Sequence, residues 1–408
     1  MTTAIRRSLT IGVVAALAAT TFLLGGALSG ESNGDAQAAR SKVQVLLQRG
    51  MDEYQRAQTT GDPSHYVGAA AAFRRALALE PNNLAATVEL GALELSRHRF
   101  RRALGLGRRA VALAPASARG YGVLGDALLE LGRYEEAFRT FNRMTALKPS
   151  VSSYARISYA RELVGDIAGA AAAMKLAADA AAGAAGNQAW AYVQLGKLLA
   201  AHGRSGEAVR NYRTALRLSP GYVDAYDALA RIKAGRGWLA SAISHERRAV
   251  EGLPHADHFF TLGDFYSASG KHDLAAEAYR DAERAFAEEA DAGARVELEL
   301  ALFLTDRGED LPRALSIAQA ARAARPSVDG DDVLAWALAR NGRCGDALRY
   351  SKLALRLGTR DALKYFHRGM IERCLGETQS AKRWFERALR LNPHFSTLWA
   401  PLARSYAR

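Results

Sequence analysis

Apolar positions along most of this chain recur at i, i+3, i+4 and i+7, with charged residues filling the gaps. Tyr121, Leu124, Gly125 and Leu128 form one such stripe, and Ala137, Phe141 and Met144 form the next, with Gly132 between them. Tyr192, Leu195, Gly196 and Leu199, then Ala208, Tyr212 and Ala215, repeat the scheme around Gly203. This spacing puts the apolar side chains on one helical face, so it predicts pairs of amphipathic helices joined by tight turns. No strand-like alternation with hairpin turn signals competes with it.

The scheme repeats at a nearly fixed interval. Ala69, Ala103, Ala137, Ala171, Ala208, Ala242, Ala275, Ala314, Ala347 and Ala381 stand 34, 34, 34, 37, 34, 33, 39, 33 and 34 residues apart. Alanine is what the crossing point of two closely packed helices requires, with bulkier residues on either side. Pro81, Pro115, Pro149, Pro220, Pro254, Pro326 and Pro393 close successive units, because proline cannot continue a helix interior. Gly132, Gly203, Gly270, Gly342 and Gly376 mark the turn inside a unit.

In these residues the chain resembles the tetratricopeptide repeat family, from residue 43 to residue 395. The resemblance implies an all-α fold, a right-handed α-solenoid of antiparallel helix pairs. It divides the chain into about ten repeats over residues 39–395 and a capping helix over 396–408, the latter carrying Trp399, Leu402 and Tyr406. The 37-residue interval marks a fourth unit with Lys175 and the small-residue stretch from Ala180 to Gly186. The 39-residue interval marks a seventh unit whose second helix runs on through Phe286, Glu289 and Asp291.

The resemblance also implies a non-enzymatic protein-interaction scaffold that holds a protein or peptide in the concave groove lined by the first helices. The repeat register puts Arg156, Trp190, Lys197, Arg231, Phe260, Phe303, Trp336 and Phe366 at groove-facing positions, opposed by Asp126, Asp224, Asp227 and Asp264. Guanidinium groups there grip carboxylates and rings supply contact area. The Lys/Asn/Arg clamp of some family members is replaced by residues such as Val88, Ala92, Gly122 and Asp126.

Compartment is read from residues 1–38. Arg6 and Arg7 precede an uncharged apolar run from Leu9 to Leu28, the order of an export signal. Ala36-Gln37-Ala38 satisfies the small-x-small rule, giving cleavage between Ala38 and Ala39; the same run is also long enough for an uncleaved membrane anchor. Either reading places the repeats outside the cytoplasmic membrane, secreted or anchored facing outward. In such a stack Cys344 and Cys374 fall on neighbouring antiparallel helices near their turns, so an oxidising compartment pairs them as a disulfide; two independent small core residues are the alternative.

The net charge of +13 favours anionic partners such as acidic protein segments, wall polymer or lipid head groups. Nucleic acid is excluded on the export reading, with no DNA-binding unit left over once the repeats are assigned. A basic module for anionic surface polymer or lipid, or an accessory subunit of an envelope enzyme or transporter, is the alternative function. No phosphate-cradling Gly-x-x-x-x-Gly-Lys loop and no His-Glu-x-x-His site occurs, so neither a catalytic residue nor a cofactor is expected. His255, Asp257 and His258 form the one tight group of potential metal ligands. They fall at a repeat junction, where polar residues are common, and no metal is expected from them.

Overall fold

The computed structural model describes residues 33–408, which form helices and no strand. The helices pair into ten antiparallel units. The first five are α1 (Asn33–Thr60) with α2 (Ser64–Leu79), α3 (Leu84–Ser96) with α4 (Phe100–Leu113), α5 (Ala118–Glu130) with α6 (Tyr134–Leu147), α7 (Val151–Leu163) with α8 (Ile167–Ala180), and α9 (Ala185–Ala201) with α10 (Ser205–Leu218). Units six to eight are α11 (Val223–Gly235) with α12 (Leu239–Gly252), α13 (Ala256–Ala268) with α14 (His272–Asp291), and α15 (Glu297–Arg307) with α16 (Leu311–Ala324). The last two are α17 (Val328–Arg340) with α18 (Cys344–Ala354) and α19 (Ala362–Cys374) with α20 (Thr378–Leu391), followed by α21 (Trp399–Ala407).

Local chemistry sets these boundaries. Asn83, Ser150, Asp166, Ser327 and Asp361 accept a backbone N–H of the helix they precede, and Ser150 forms a reciprocal capping box with Ser153. The periodic alanines are buried at their crossings, Ala103, Ala137, Ala208, Ala242, Ala314 and Ala347 completely; the fourth unit departs from the expected register, with Ala171 only half-buried and its neighbour Ala170 completely buried. Opposite it, a first-helix glycine receives an aromatic ring of the second helix: Phe141 lies against Gly125 and Tyr212 against Gly196, so closely that a Cβ would collide with the ring.

Cys344 and Cys374 are joined in a disulfide between α18 and α19, with Cα atoms 6.0 Å apart. Arg6, Arg7 and the run from Leu9 to Leu28 lie outside the described residues. Ala38 and Ala39 fall inside α1, so the helix begins ahead of the proposed cleavage point. Among the described residues no helix is long and apolar enough to cross a membrane.

The stack is wound so tightly that its second turn rests on its first. The turn inside each early unit meets the junction that follows the unit five further on. Arg295 N–H donates to the Arg97 carbonyl at 3.0 Å, and His98 Nδ1 lies 2.9 Å from the Arg295 carbonyl oxygen. Val328 N–H donates to Tyr134 Oη at 2.7 Å, Thr359 Oγ1 to the Leu163 carbonyl at 2.6 Å, and Asn392 Nδ2 to the Ala200 carbonyl at 3.1 Å. At the centre of this seam Arg325, 4% exposed, donates from Nε to Glu130 of the first turn at 2.5 Å and from Nη1 to Glu299 at 3.2 Å. Gly132 has φ +73° and packs against the Pro326 carbonyl, a close approach at a left-handed position that only glycine accommodates.

Candidate binding surfaces

Winding the chain on itself changes what the concave side offers. Arg156, Trp190, Phe260, Phe303, Trp336 and Phe366 are each 3% exposed or less. The groove-facing role expected for them is therefore corrected: a partner does not reach these side chains in this arrangement. The physical reason is that successive first helices lie close enough to satisfy one another. Arg156 donates from Nε and Nη2 to both carboxylate oxygens of Asp126, at 2.8 and 2.5 Å, and burial pushes the Asp126 carboxyl up, to about 6, against the pull of that guanidinium. Phe260 meets Phe303 edge to face at 4.9 Å. Trp336 stacks on His367 at 4.6 Å and donates from Nε1 to Asp306 at 2.8 Å.

The far end of the groove is filled by the chain's own C-terminal segment. Trp399 stacks on Phe366 at 5.5 Å and donates from Nε1 to the same Asp306 oxygen at 3.2 Å. Phe395 packs against Phe366 as well, at 5.7 Å. This self-contact was not visible in the repeat register, which assigns the last helix only to the end of the stack.

Lys197 and Arg231 keep some exposure because they line internal space. One cavity of about 100 Å³ runs between Lys197, Arg231 and Thr261 and the C-terminal residues His394–Thr397. A second of about 180 Å³ is walled by the first two units on one side, through Tyr66 and His98, and by Asp224, Asp227, His255 and His258 on the other. Lys197 and Asp227 border both. Lys197 Nζ lies 3.0 Å from Asp224 Oδ1; burial alone would raise the Asp224 carboxyl, but Lys197 and His258 hold it below the usual range. Arg231 lies 2.6 Å from Asp227 Oδ1, and its Nη2 donates to Thr261 Oγ1 at 2.5 Å. His255 Nε2 stands 3.2 Å from Glu289, whose carboxyl burial pushes up. The lengthened α14 supplies Glu289, so the 39-residue interval marks the unit that builds much of this wall.

Charge is partitioned between inside and outside. Among the described residues, fourteen carboxylate side chains are buried against four Lys or Arg side chains. The positive excess of these residues therefore sits on the outer surface, much of it on the second helices. Arg101, Arg102, Arg108 and Arg109 of α4 are exposed, as are Arg210, Arg213 and Arg217 of α10 and Arg247 and Arg248 of α12. No sequence signal separated these arginines from the buried ones except helix position, since Arg156 and Arg325 differ from them only in facing inward.

Comparison with known proteins agrees with the repeat geometry. Tetratricopeptide repeat family models match residues 93–152, 193–257 and 362–395, which fall on units two and three, five and six, and ten. No match is found among curated proteins. Solved structures similar to this chain include TTC0263, a thermophilic tetratricopeptide repeat protein of Thermus thermophilus, at 24% identity over 49% of this chain and 98% of that one, TM-score 0.41. Yeast Tom70 is 14% identical over 92% of this chain and 96% of its own, TM-score 0.37. YrrB, described as having an unusual peptide-binding site, is 19% identical over 52% of this chain and all of its own, TM-score 0.31. With the matched segments in register on three stretches of a ten-unit helical stack, the chain carries tetratricopeptide repeats within an all-helical repeat fold.

Proposed function

We propose that this protein is a non-enzymatic scaffold outside the cytoplasmic membrane, and that it recruits a polypeptide partner through the arginine-bearing outer face of its second helices. The observation that carries this reading is the partition of side chains. The aromatic residues named for the concave side are consumed by packing, whereas Arg210, Arg213, Arg217, Arg247 and Arg248 stand exposed on α10 and α12, the second helices of successive units. Guanidinium groups in such an array grip the carboxylates of an acidic segment bidentately. The extracytoplasmic placement is supported by Arg6-Arg7, the apolar run that follows and the paired cysteines.

Cross-linking in the native host, with identification of attached proteins, tests the reading. Replacing Arg210, Arg213 and Arg217 together by Glu should abolish the main cross-link and leave the helical signal intact. Retention of the cross-link in that variant, with loss in Trp336→Ala instead, refutes the outer face in favour of an opened groove. A second reading, docking on anionic wall polymer or lipid, is favoured by the same exposed arginines. It predicts that the native protein sediments with anionic vesicles or isolated wall polymer and that added salt releases it steeply.

A further inference from the structure

The junction between units six and seven gathers three potential metal ligands from three successive helices. Asp227 of α11, Glu246 of α12 and His258 of α13 each present a ligand atom, and these atoms lie within 4.8 Å of one another. All three residues are buried, Glu246 completely. Donors on opposite sides of an ion with bonds of about 2.0–2.2 Å stand roughly 4 Å apart, so small side-chain rotations close the set. One imidazole nitrogen with two carboxylate oxygens suits a divalent transition metal of borderline softness.

The surroundings already have the form of an outer coordination shell. Arg231 lies 2.6 Å from Asp227 Oδ1 and fixes that carboxylate. His258 Nδ1 lies 3.1 Å from Glu246 Oε1, and the Asp224 carboxylate acts on the same imidazole while Lys197 anchors it at 3.0 Å. A charged or hydrogen-bonding neighbour that orients each ligand is the usual support of a protein metal site.

An independent feature of the same cavity points to a ligand. His98, in the opposite wall, is 8% exposed and sits at φ +52°, where the other nine units carry a glycine with positive φ, such as Gly61, Gly132 and Gly203. Its Nδ1 faces the Arg295 carbonyl oxygen at 2.9 Å. A carbonyl only accepts, so this contact assigns the proton to Nδ1 and leaves Nε2 as an acceptor. Nε2 is buried and has no hydrogen-bond partner. A buried acceptor of this kind calls for a donor.

We propose that Asp227, Glu246 and His258 bind one divalent transition-metal ion, Zn²⁺ or Mn²⁺. The ion's remaining coordination positions open on the cavity, where a metal-bound water donates to His98 Nε2. The site couples units six and seven of the second turn to unit two of the first.

The test uses the full chain, produced without a polyhistidine tag and stripped with EDTA, then titrated with Zn²⁺ by calorimetry. One ion per chain is expected, with affinity lowered about 100-fold by His258→Gln or Asp227→Asn and little changed by His255→Gln, which lies in the same cavity outside the triad. A measurement on the unsubstituted protein covers the case in which a variant fails to fold: Mn²⁺ should broaden the ring resonances of His258 first. Absence of stoichiometric Zn²⁺, unchanged affinity in folded His258→Gln, or broadening centred on His65 beside Glu53 and Asp62 at the surface would each overturn the proposal.

Discussion

Arg325→Met removes the cation at the centre of the seam and leaves Glu130 and Glu299, 4% exposed each, buried without the guanidinium that both accept from. Breaking one side of a buried ion pair costs about 3–5 kcal/mol, because the remaining charge has lost both water and partner. Opening the seam returns both carboxylates to solvent, so the cost is relieved by separation of the two turns and not by unfolding of either. Amide exchange reads this directly. The Val328 N–H is held by Tyr134 Oη and the Arg295 N–H by the Arg97 carbonyl, both across the seam. At about 1.4 kcal/mol per factor of ten, their exchange should accelerate roughly 10²-fold to several thousandfold. Helix-interior amides such as that of Phe141 should be little changed. Small-angle scattering should report a larger radius of gyration, and adding Glu130→Gln and Glu299→Gln to Arg325→Met should restore compactness. Exchange at Val328 and Arg295 that stays within threefold of the parent, with an unchanged radius, would refute the claim that this ion cluster holds the turns together.

Gly125→Val should cost about 1–3 kcal/mol in urea unfolding, because the new side chain strikes the Phe141 ring in a filled crossing; a neutral result would mean the pair separates freely. Cys344→Ser should lower stability by about 3–4 kcal/mol in oxidised protein and by little in reduced protein, as a closed loop of 30 residues implies, and non-reducing mass mapping that finds two free thiols would contradict it. His245 is held below its ordinary value of 6.5 by burial and by Lys233, whose Nζ lies 3.1 Å from its Nε2. Its contribution to stability is therefore present above pH 6.5 and lost as pH falls through the lower folded value. Lys233→Met should raise the imidazole toward 6.5 in an NMR titration, and an unmoved midpoint would discount the charge contact.

The repeat architecture was legible because its determinants are local. The spacing of Ala137, Phe141 and Met144 and the stops at Gly132 and Pro149 act within one unit, and the same signals recur in the others. The tightness of the winding was not legible, since it depends on pairs such as Arg325 with Glu130 and Thr359 with the Leu163 carbonyl, each far apart in sequence and ordinary in type. That explains why Trp190, Trp336 and Phe366 read as groove residues and proved to be packed: the register fixes the face, whereas the pitch decides whether that face sees water. The metal-competent group was half visible. His258 stood out beside His255 and Asp257, but its partners Asp227 and Glu246 come from two earlier helices, and a lone Glu on a second helix gives no signal by itself.

A stack of repeats is ordinarily a one-dimensional object, its stability a sum over neighbours, able to lengthen or fray at either end independently. The hydrogen bonds between residues such as Leu163 and Thr359 give this chain a second direction of neighbours. A defect in unit three is felt in unit eight without travelling through the four units between. The first half, made first by the ribosome, exposes a row of unanswered carbonyls until the second half arrives to meet them. Cooperativity then extends over the whole chain, and the molecule behaves as one body in which deleting a single repeat would put every later contact one step out of phase.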